Sequence, residues 1–290
     1  MLNTMKLNPN EITFIIVSYK ANKVIYNCID SLPKFSKKII IENSFDNELK
    51  KDLETKYDNI EVVLNENIGM GASNNLGIMK ADTNYVFILN PDVTFKSDTF
   101  ANLIESLKHI DDFSILSPIN DDKNFPNYEI KNTYQSSNNE ILEVDSIDGF
   151  SMLINKSKFS NEKYFDENFF LYLENTDLCL RQRKKNEKIF IIKSSEINHI
   201  GSYSTKLDKS NNLEYIRNWH WMWSKFYFNR KHFGYVSALF KTSSNLISSS
   251  LKYLFYTLTF NKHNKIIYKM RFHGLFSSMT GKKSFLRPKD

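Results

Sequence analysis

The chain has 290 residues, 41% of them hydrophobic, which is enough for one large domain with an appendage and a sizeable core. It holds no run of about 18 apolar residues, which excludes an ordinary membrane-spanning helix, and Met1–Asn10 is polar, without the apolar stretch of a signal peptide. The net charge of +6 conceals two unlike parts: residues 215–290 carry fourteen Lys and Arg against one acid, Asp290, a net +13, so the first 214 residues carry −7.

A basic tail on an acidic body points to an anionic surface, either lipid headgroups or nucleic acid. The two cysteines, Cys28 and Cys179, are far apart and fall at apolar positions of helical patterns. They read as buried free thiols in a reducing compartment.

Strands and helices alternate over the first 118 residues. Ile12–Tyr19 is a continuous apolar strand, and Val24, Ile25, Cys28, Ile29 and Leu32 form a helical stripe. Lys38–Glu42 is a second strand, and Asp46 caps a helix carrying Leu49, Leu53 and Tyr57. Ile60–Leu64 is a third strand, followed by a loop and a helix near Ser73–Lys80. Tyr85–Leu89 is a fourth strand; Ser97 is the expected cap of a helix running to Ile110, and Ser114–Ser117 is a short strand before Pro118. Continuous apolar strands between amphipathic helices predict a mostly parallel, doubly wound α/β sheet with helices on both faces.

Residues 119–143 are polar and rich in Asn, and they read as a surface excursion. Val144–Asn155 returns as a strand-like segment around Gly149, Asp166–Arg181 holds an aromatic run and a short helix, and Ile189–Ile192 is a further strand. From Leu213 the chain turns to aromatic, basic helices, so the expected division is a catalytic α/β domain over 1–212 and an amphipathic helical region over 213–290.

Four places carry candidate chemistry. Asn90-Pro91-Asp92 follows a buried strand. It reads either as a simple turn or as a carboxylate at the end of the sheet where ligands and hard cations bind. Asn67-Ile68-Gly69-Met70-Gly71-Ala72-Ser73-Asn74 opens a helix, whose N-terminus favours anions. Its third glycine position is Asn74 and it follows the third strand, so it is not a dinucleotide fingerprint. Glu174 and Asp177 share a helical face, either as a catalytic pair or as acids complementing the helix dipole. His199 is expected on a loop just past the Ile189–Ile192 strand, where an imidazole can ligate a metal or simply hydrogen-bond.

Together these places form an ordered series. It runs Val17-Ser18-Tyr19, Glu42-Asn43-Ser44, Asn67-x-Gly69-x-Gly71-x-x-Asn74, Leu89-Asn90-Pro91-Asp92, Asp148-Gly149, Glu174-Asn175-x-Asp177 with Arg181, and His199-x-Gly201. The series resembles the family 2 glycosyltransferases of GT-A fold, in their bacterial rhamnosyltransferase-like branch, over roughly residues 11 to 240.

That resemblance implies an inverting, metal-dependent transfer of a sugar from a nucleoside diphosphate to a hydroxyl of a lipid-linked or surface polysaccharide acceptor. It implies that Val17, Ser18, Tyr19, Glu42, Asn43, Asn67, Gly69, Asn74, Asn90, Asp92 and Gly149 border the nucleotide sugar. Asp92 and His199 would hold Mn²⁺ or Mg²⁺, Glu174 would be the base, and Asp177 would position the site or the acceptor. Asn90 and Asn175 stand where relatives carry acids. That leaves a non-catalytic scaffold as one alternative. A sugar-phosphate nucleotidyltransferase is another, although Ser18–Asn22 lacks the glycine-rich loop such enzymes carry.

The tail contains Trp219, Trp221 and Trp223 among Lys225, Arg230 and Lys231, and Ile247, Leu251, Leu254 and Leu258 at helical spacing. Trp with basic residues on amphipathic helices suits a bilayer interface; the alternative is that the apolar faces dock on the catalytic domain, as part of the stretch is expected to do, and no nucleic-acid motif is present. The expected location is cytoplasmic, at the inner face of the bacterial cytoplasmic membrane.

Overall fold

A strand whose central residues are all apolar must be covered on both faces, and β1 (Ile12–Ser18) and β2 (Lys38–Glu42) are buried along their whole length. In the computed structural model, which describes residues 8–131, 140–159, 163–201 and 212–288, they lie inside a nine-stranded sheet of order β3-β2-β1-β4-β10-β6-β11-β5, with β8 also paired to β11. The residues before Asn8, the middle of the 119–143 excursion and the residues just past Gly201 lie outside the described residues.

The remaining strands are β3 (Ile60–Leu64), β4 (Tyr85–Leu89), β5 (Val93–Phe95), β6 (Ile115–Asn120), β8 (Ile141–Glu143), β10 (Ser151–Asn155) and β11 (Ile189–His199). A small two-stranded sheet joins β7 (Tyr128–Glu129) to β9 (Ser146–Ile147). The β3-β2-β1-β4 half is parallel. The other half is mixed: β10 runs antiparallel to β4 and β6, while β11 is parallel to β6 and antiparallel to β5 and β8. The mostly parallel expectation therefore holds for the first half only.

The helices α1 (Ile25–Ser31), α2 (Asn47–Lys56), α3 (Met70–Lys80), α4 (Thr99–Leu107) and α5 (Glu174–Lys184) accompany this sheet in the chain. Asp46 caps α2 by accepting from the Leu49 N–H, a cap worth about 1 kcal/mol. Phe14 and Phe87 stack at 5.3 Å in the core under α1 and α4, and such a pair adds about 1 kcal/mol to its area burial. Both cysteines are free and buried; burial pushes both thiols up, Cys179 to about 12.

Three local expectations are corrected. The cap of α4 is Asp98, not Ser97, because the Thr99 hydroxyl takes the Lys96 N–H and starts the helix later. β6 runs through Pro118 to Asn120, since β11 continues alongside it. β11 extends to His199, so that histidine ends a strand rather than sitting on a loop beyond it.

Two compact units make up the chain. The first holds the residues up to Ile68, Ala72–Asp166 and Asn175–Gly201; the second holds Gly69–Gly71, Glu167–Glu174 and the helices from Asn212. Those helices are α6 (Asn212–Phe233), α7 (Tyr235–Leu258) and α8 (Lys262–Met279). In the second unit α6 buries Ile216, Trp219, Met222, Trp223 and Phe226.

Candidate active site

The C-terminal ends of the parallel strands carry polar residues where the apolar pattern stops. Ser18 ends β1 and Glu42 ends β2, in register with each other. Both are fully buried, as is Asn74 in α3. Ser18 Oγ, Glu42 Oε2 and Asn74 Oδ1 have no hydrogen-bond partner among the described residues. A buried polar atom without a partner costs roughly 1–3 kcal/mol, and a polar ligand at the paired ends of β1 and β2 would satisfy Ser18 and Glu42 there.

Neighbouring residues hold these groups in place. The other Glu42 oxygen accepts from the Ser44 N–H at 2.7 Å and from the Ser44 hydroxyl. Asn43 is buried with its amide in use: it donates to Ser73 Oγ at 2.8 Å and accepts from Ser73 and Asn65. Of the pair Glu42 and Asn43, only Glu42 therefore keeps an open acceptor. Val17 is buried in β1, Tyr19 and Asn67 are half-buried, and Lys20, just after Tyr19, takes a positive φ of 51°.

Asn90-Pro91-Asp92 is both a turn and a carboxylate mount. The Asn90 N–H donates to Phe150 O at 2.9 Å, the Val93 N–H returns to Asn90 O at 3.2 Å, and the Cys28 thiol donates to the same carbonyl at 3.7 Å. β5 begins directly after the turn and pairs with β11 so that Val93 faces His199. The Ile200 N–H then donates to Asp92 O at 3.2 Å, and His199 Nε2 stands 3.4 Å from Asp92 Oδ1. The Phe150 ring stacks on His199 at 3.9 Å and fixes the imidazole plane.

A carboxylate and an imidazole at this spacing are a donor set that suits a divalent cation, with Mn²⁺ accepting nitrogen more readily than Mg²⁺. Among the described residues no three His, Cys, Asp or Glu side chains converge on one point, so a cation here needs further oxygens from a ligand or water. Asp148, quoted in the sequence only as a motif neighbour of Gly149, also faces this region. Desolvation raises its pKa first, Glu129 adds to the rise, and His199 opposes it.

On the α5 side, Gly149 packs on Asn175, where a Cβ would lie 3.2 Å from the Asn175 Cβ. The Asn175 amide donates to Ile147 O at 2.8 Å, a fastening role. Asp177 is fully buried and accepts from Arg181 Nε at 2.9 Å, while Arg181 also donates to Tyr164 O. That enclosure fits a residue that positions α5 rather than one that meets substrate.

Glu174 and Gly69 belong to the second unit. Gly69 takes φ 100° and a Cβ there would lie 2.6 Å from Phe170 O, so only glycine fits. Glu174 opens α5 and is buried. The two residues before it, Tyr172 and Leu173, both have positive φ, 71° and 68°. Consecutive left-handed non-glycine residues are strained, and such strain concentrates at functional sites. α6 holds this loop: Ser224 Oγ donates to Leu171 O at 2.8 Å, and Arg217 Nε donates to the Tyr172 hydroxyl at 2.6 Å. Nothing in the residue pattern announced this strain, because it arises from backbone packing.

The model of glycosyl transferase family 2 matches residues 13–179. The chain belongs to that family. It is 25% identical over 209 residues to the low-salt glycan biosynthesis hexosyltransferase Agl10 of Haloferax volcanii, covering 64% of this chain and 67% of that protein. It is 27% identical over 199 residues to the rhamnosyltransferase WbbL of Escherichia coli K12, covering 58% of this chain and 75% of the relative. The mannosyltransferase PcManGT from Pyrobaculum calidifontis, solved with GDP-Man and Mn²⁺, shares the fold with a TM-score of 0.59 at 10% identity, over 97% of this chain and 90% of that one. The protein is a glycosyltransferase with the GT-A fold that the ordered motifs implied.

Proposed function

We propose that this glycosyltransferase moves a hexose, with rhamnose the first candidate, from a nucleoside diphosphate to a hydroxyl of a lipid-linked or surface polysaccharide acceptor, with inversion. The observation that carries the reading is the set of open acceptors at Ser18 and Glu42, on the paired ends of β1 and β2, and at Asn74 in the first half of α3, together with the Asp92–His199 pair past β4 and at the end of β11. The PcManGT structure binds GDP-Man with Mn²⁺, and WbbL is a rhamnosyltransferase; both support a nucleotide-sugar donor.

In this reading Ser18, Glu42 and Asn74 hold the nucleoside, with Val17, Tyr19, Asn43 and Asn67 shaping the space around it. Asp92 and His199 would hold a divalent cation, with Asn90 and Gly149 shaping the turn beside them. When bound, the cation supplies positive charge against the departing diphosphate. Glu174 takes the proton from the acceptor hydroxyl. The acceptor oxygen bonds to the anomeric carbon as the bond from that carbon to the diphosphate oxygen breaks, and the nucleoside diphosphate leaves with the electron pair. Asp177 positions α5 through Arg181.

The proposed place of action is the inner face of the bacterial cytoplasmic membrane. No helix of the described residues is long and apolar enough to cross a membrane. The +13 of residues 215–290 favours an anionic leaflet, each basic residue near it contributing about 1 kcal/mol.

The test is hydrolysis and transfer across a panel of dTDP-, UDP- and GDP-sugars with Mn²⁺, Mg²⁺ or chelator. Release of nucleoside diphosphate from one sugar donor, dependent on the cation, is expected. Release of pyrophosphate from a nucleoside triphosphate and a sugar phosphate would instead identify a nucleotidyltransferase. No turnover of any donor would favour a scaffold.

A further inference from the structure

α7 is apolar on two faces, one packed and one exposed. The residues it buries are small: Ala238, Thr242 and Ser249. Leu239 and Leu246 pack partly buried against Met222, Phe226 and Leu275, but a second set of large apolar side chains stands outward, with Phe240 77%, Ile247 60%, Leu251 62%, Leu254 57% and Leu258 69% exposed. The outward set continues past the helix end to Phe260, which is 93% exposed. α8 shows a related pattern, burying Gly274, Ser277 and Ser278 beside Leu275. Gly274 approaches α6 so closely that a Cβ would lie 2.2 Å from Trp219 O.

A helix facing water is apolar inward and polar outward. Small residues between helices with large apolar residues outside is the distribution found where the surroundings are hydrocarbon. The hydroxyls of α7 agree with this. Thr242, Ser243, Ser250 and Thr257 each donate to a carbonyl of their own helix, at Ala238, Phe240, Leu246 and Tyr253, which satisfies them without water. Exposed Lys241 and Lys252 lie on the same helix, exposed Lys262 lies just past the turn, and no acid occurs between Tyr215 and Pro288.

We propose that α7 lies in the plane of an anionic bilayer surface, with Phe240, Ile247, Leu251, Leu254, Leu258 and Phe260 in the boundary between headgroups and acyl chains and the lysines on lipid phosphates. The proposal rests on the membrane-surface reading above and gives it a face. A second copy of the chain suits this face poorly, because it would set two strongly basic surfaces together. An interfacial helix also needs a polar side less hydrophobic than a span requires, which α7 has in its serines, threonines and lysines.

The experiment uses the full chain with phosphatidylcholine vesicles containing about one quarter phosphatidylglycerol. Wild type is expected to co-sediment with them, and about tenfold more weakly with phosphatidylcholine alone. Leu251→Asp with Leu254→Asp is expected to lower binding by about tenfold or more, with thermal stability and turnover on a water-soluble acceptor unchanged. Because Cys28 and Cys179 are buried, a polarity-sensitive dye on Leu254→Cys reports the face directly, and its emission should shift to the blue when vesicles are added.

Wild type that ignores vesicles would overturn both this face and the membrane reading, leaving donor turnover to judge the transferase reading separately. Equal binding by wild type and the double variant, with no dye shift, would overturn the face alone. A dimer that the double variant converts to monomer, without vesicle binding, would assign the face to a second copy of the chain instead.

Discussion

In the first unit Ser18, Glu42 and Asn74 are buried with an oxygen left unpaired, whereas in the second unit Phe240, Ile247, Leu251, Leu254 and Leu258 stand outside. These two groups depart from the usual division of polar and apolar side chains, and in opposite directions. Natural proteins keep few such departures, because an unpaired buried acceptor and an exposed apolar patch are both unfavourable. The first departure is suited to a polar ligand and the second to an apolar surface. Within the second unit the contrast sharpens further: α6 buries Ile216, Trp219, Met222, Trp223 and Phe226, whereas the residues α7 buries are Ala238, Thr242 and Ser249.

The largest effects test the polar departure. Asp92→Ala is expected to lower sugar transfer by about 10³-fold or more, and Glu174→Gln by about 10²- to 10⁴-fold. Only Asp92→Ala should also weaken cation-dependent nucleotide binding, measured by calorimetry with and without Mn²⁺. Full transfer by Glu174→Gln would remove the base assignment.

Next comes the contrast between helices. Phe226→Ala in α6 removes a fully buried ring and should cost about 3–5 kcal/mol of stability. Leu251→Ala in α7 should stay within about 0.5 kcal/mol. Chemical denaturation of the two variants checks this, and comparable losses would mean that α7 is covered in solution.

A pH scan probes the same unit. His220 in α6 is buried between Ser284 and Leu286 O, and burial, with Arg287 nearby, lowers its pKa to about 4. Below its ordinary value near 6.5 the unfolded chain takes up a proton that the folded chain refuses. The stability is therefore fully present above about pH 6.5 and is lost as pH falls toward 4, by up to about 3 kcal/mol. Thermal melts across that window should show the loss, and His220→Gln should flatten it.

The smallest effect separates two neighbours on β2. Glu42→Gln should weaken nucleoside diphosphate binding by about tenfold with little change in stability. Asn43→Ala, which breaks the bonds to Ser73 and Asn65, should instead lower stability by about 1–2 kcal/mol. Equal behaviour would blur the assignment of the open acceptor to Glu42.

Much of this site was legible before any geometry. A strand with an unbroken apolar centre has to be buried, so the polar residues at or just past its end, Ser18, Glu42 and Asn90, had to fall on one edge of the sheet. The helix cap at Asp46 and the buried free thiols also followed from local pattern. Less legible was the β10–β11 half. Its strands pair mostly antiparallel across long separations, and a short segment such as Val93–Phe95 carries no periodic signal of its own. His199 was therefore expected beyond a strand, when it ends one.

The sequence by itself determined the parallel half of the sheet, the family and the candidate carboxylates, because apolar runs and motif spacing are local properties that survive without coordinates. Only the tertiary structure decided that His199 meets Asp92, that Asn43 and Asp177 are engaged while Glu42 keeps an open oxygen, and that α7 turns Phe240, Ile247, Leu251, Leu254 and Leu258 outward. Those outcomes depend on which distant segments pair and which helix faces are already filled, and no single stretch of the chain contains that information.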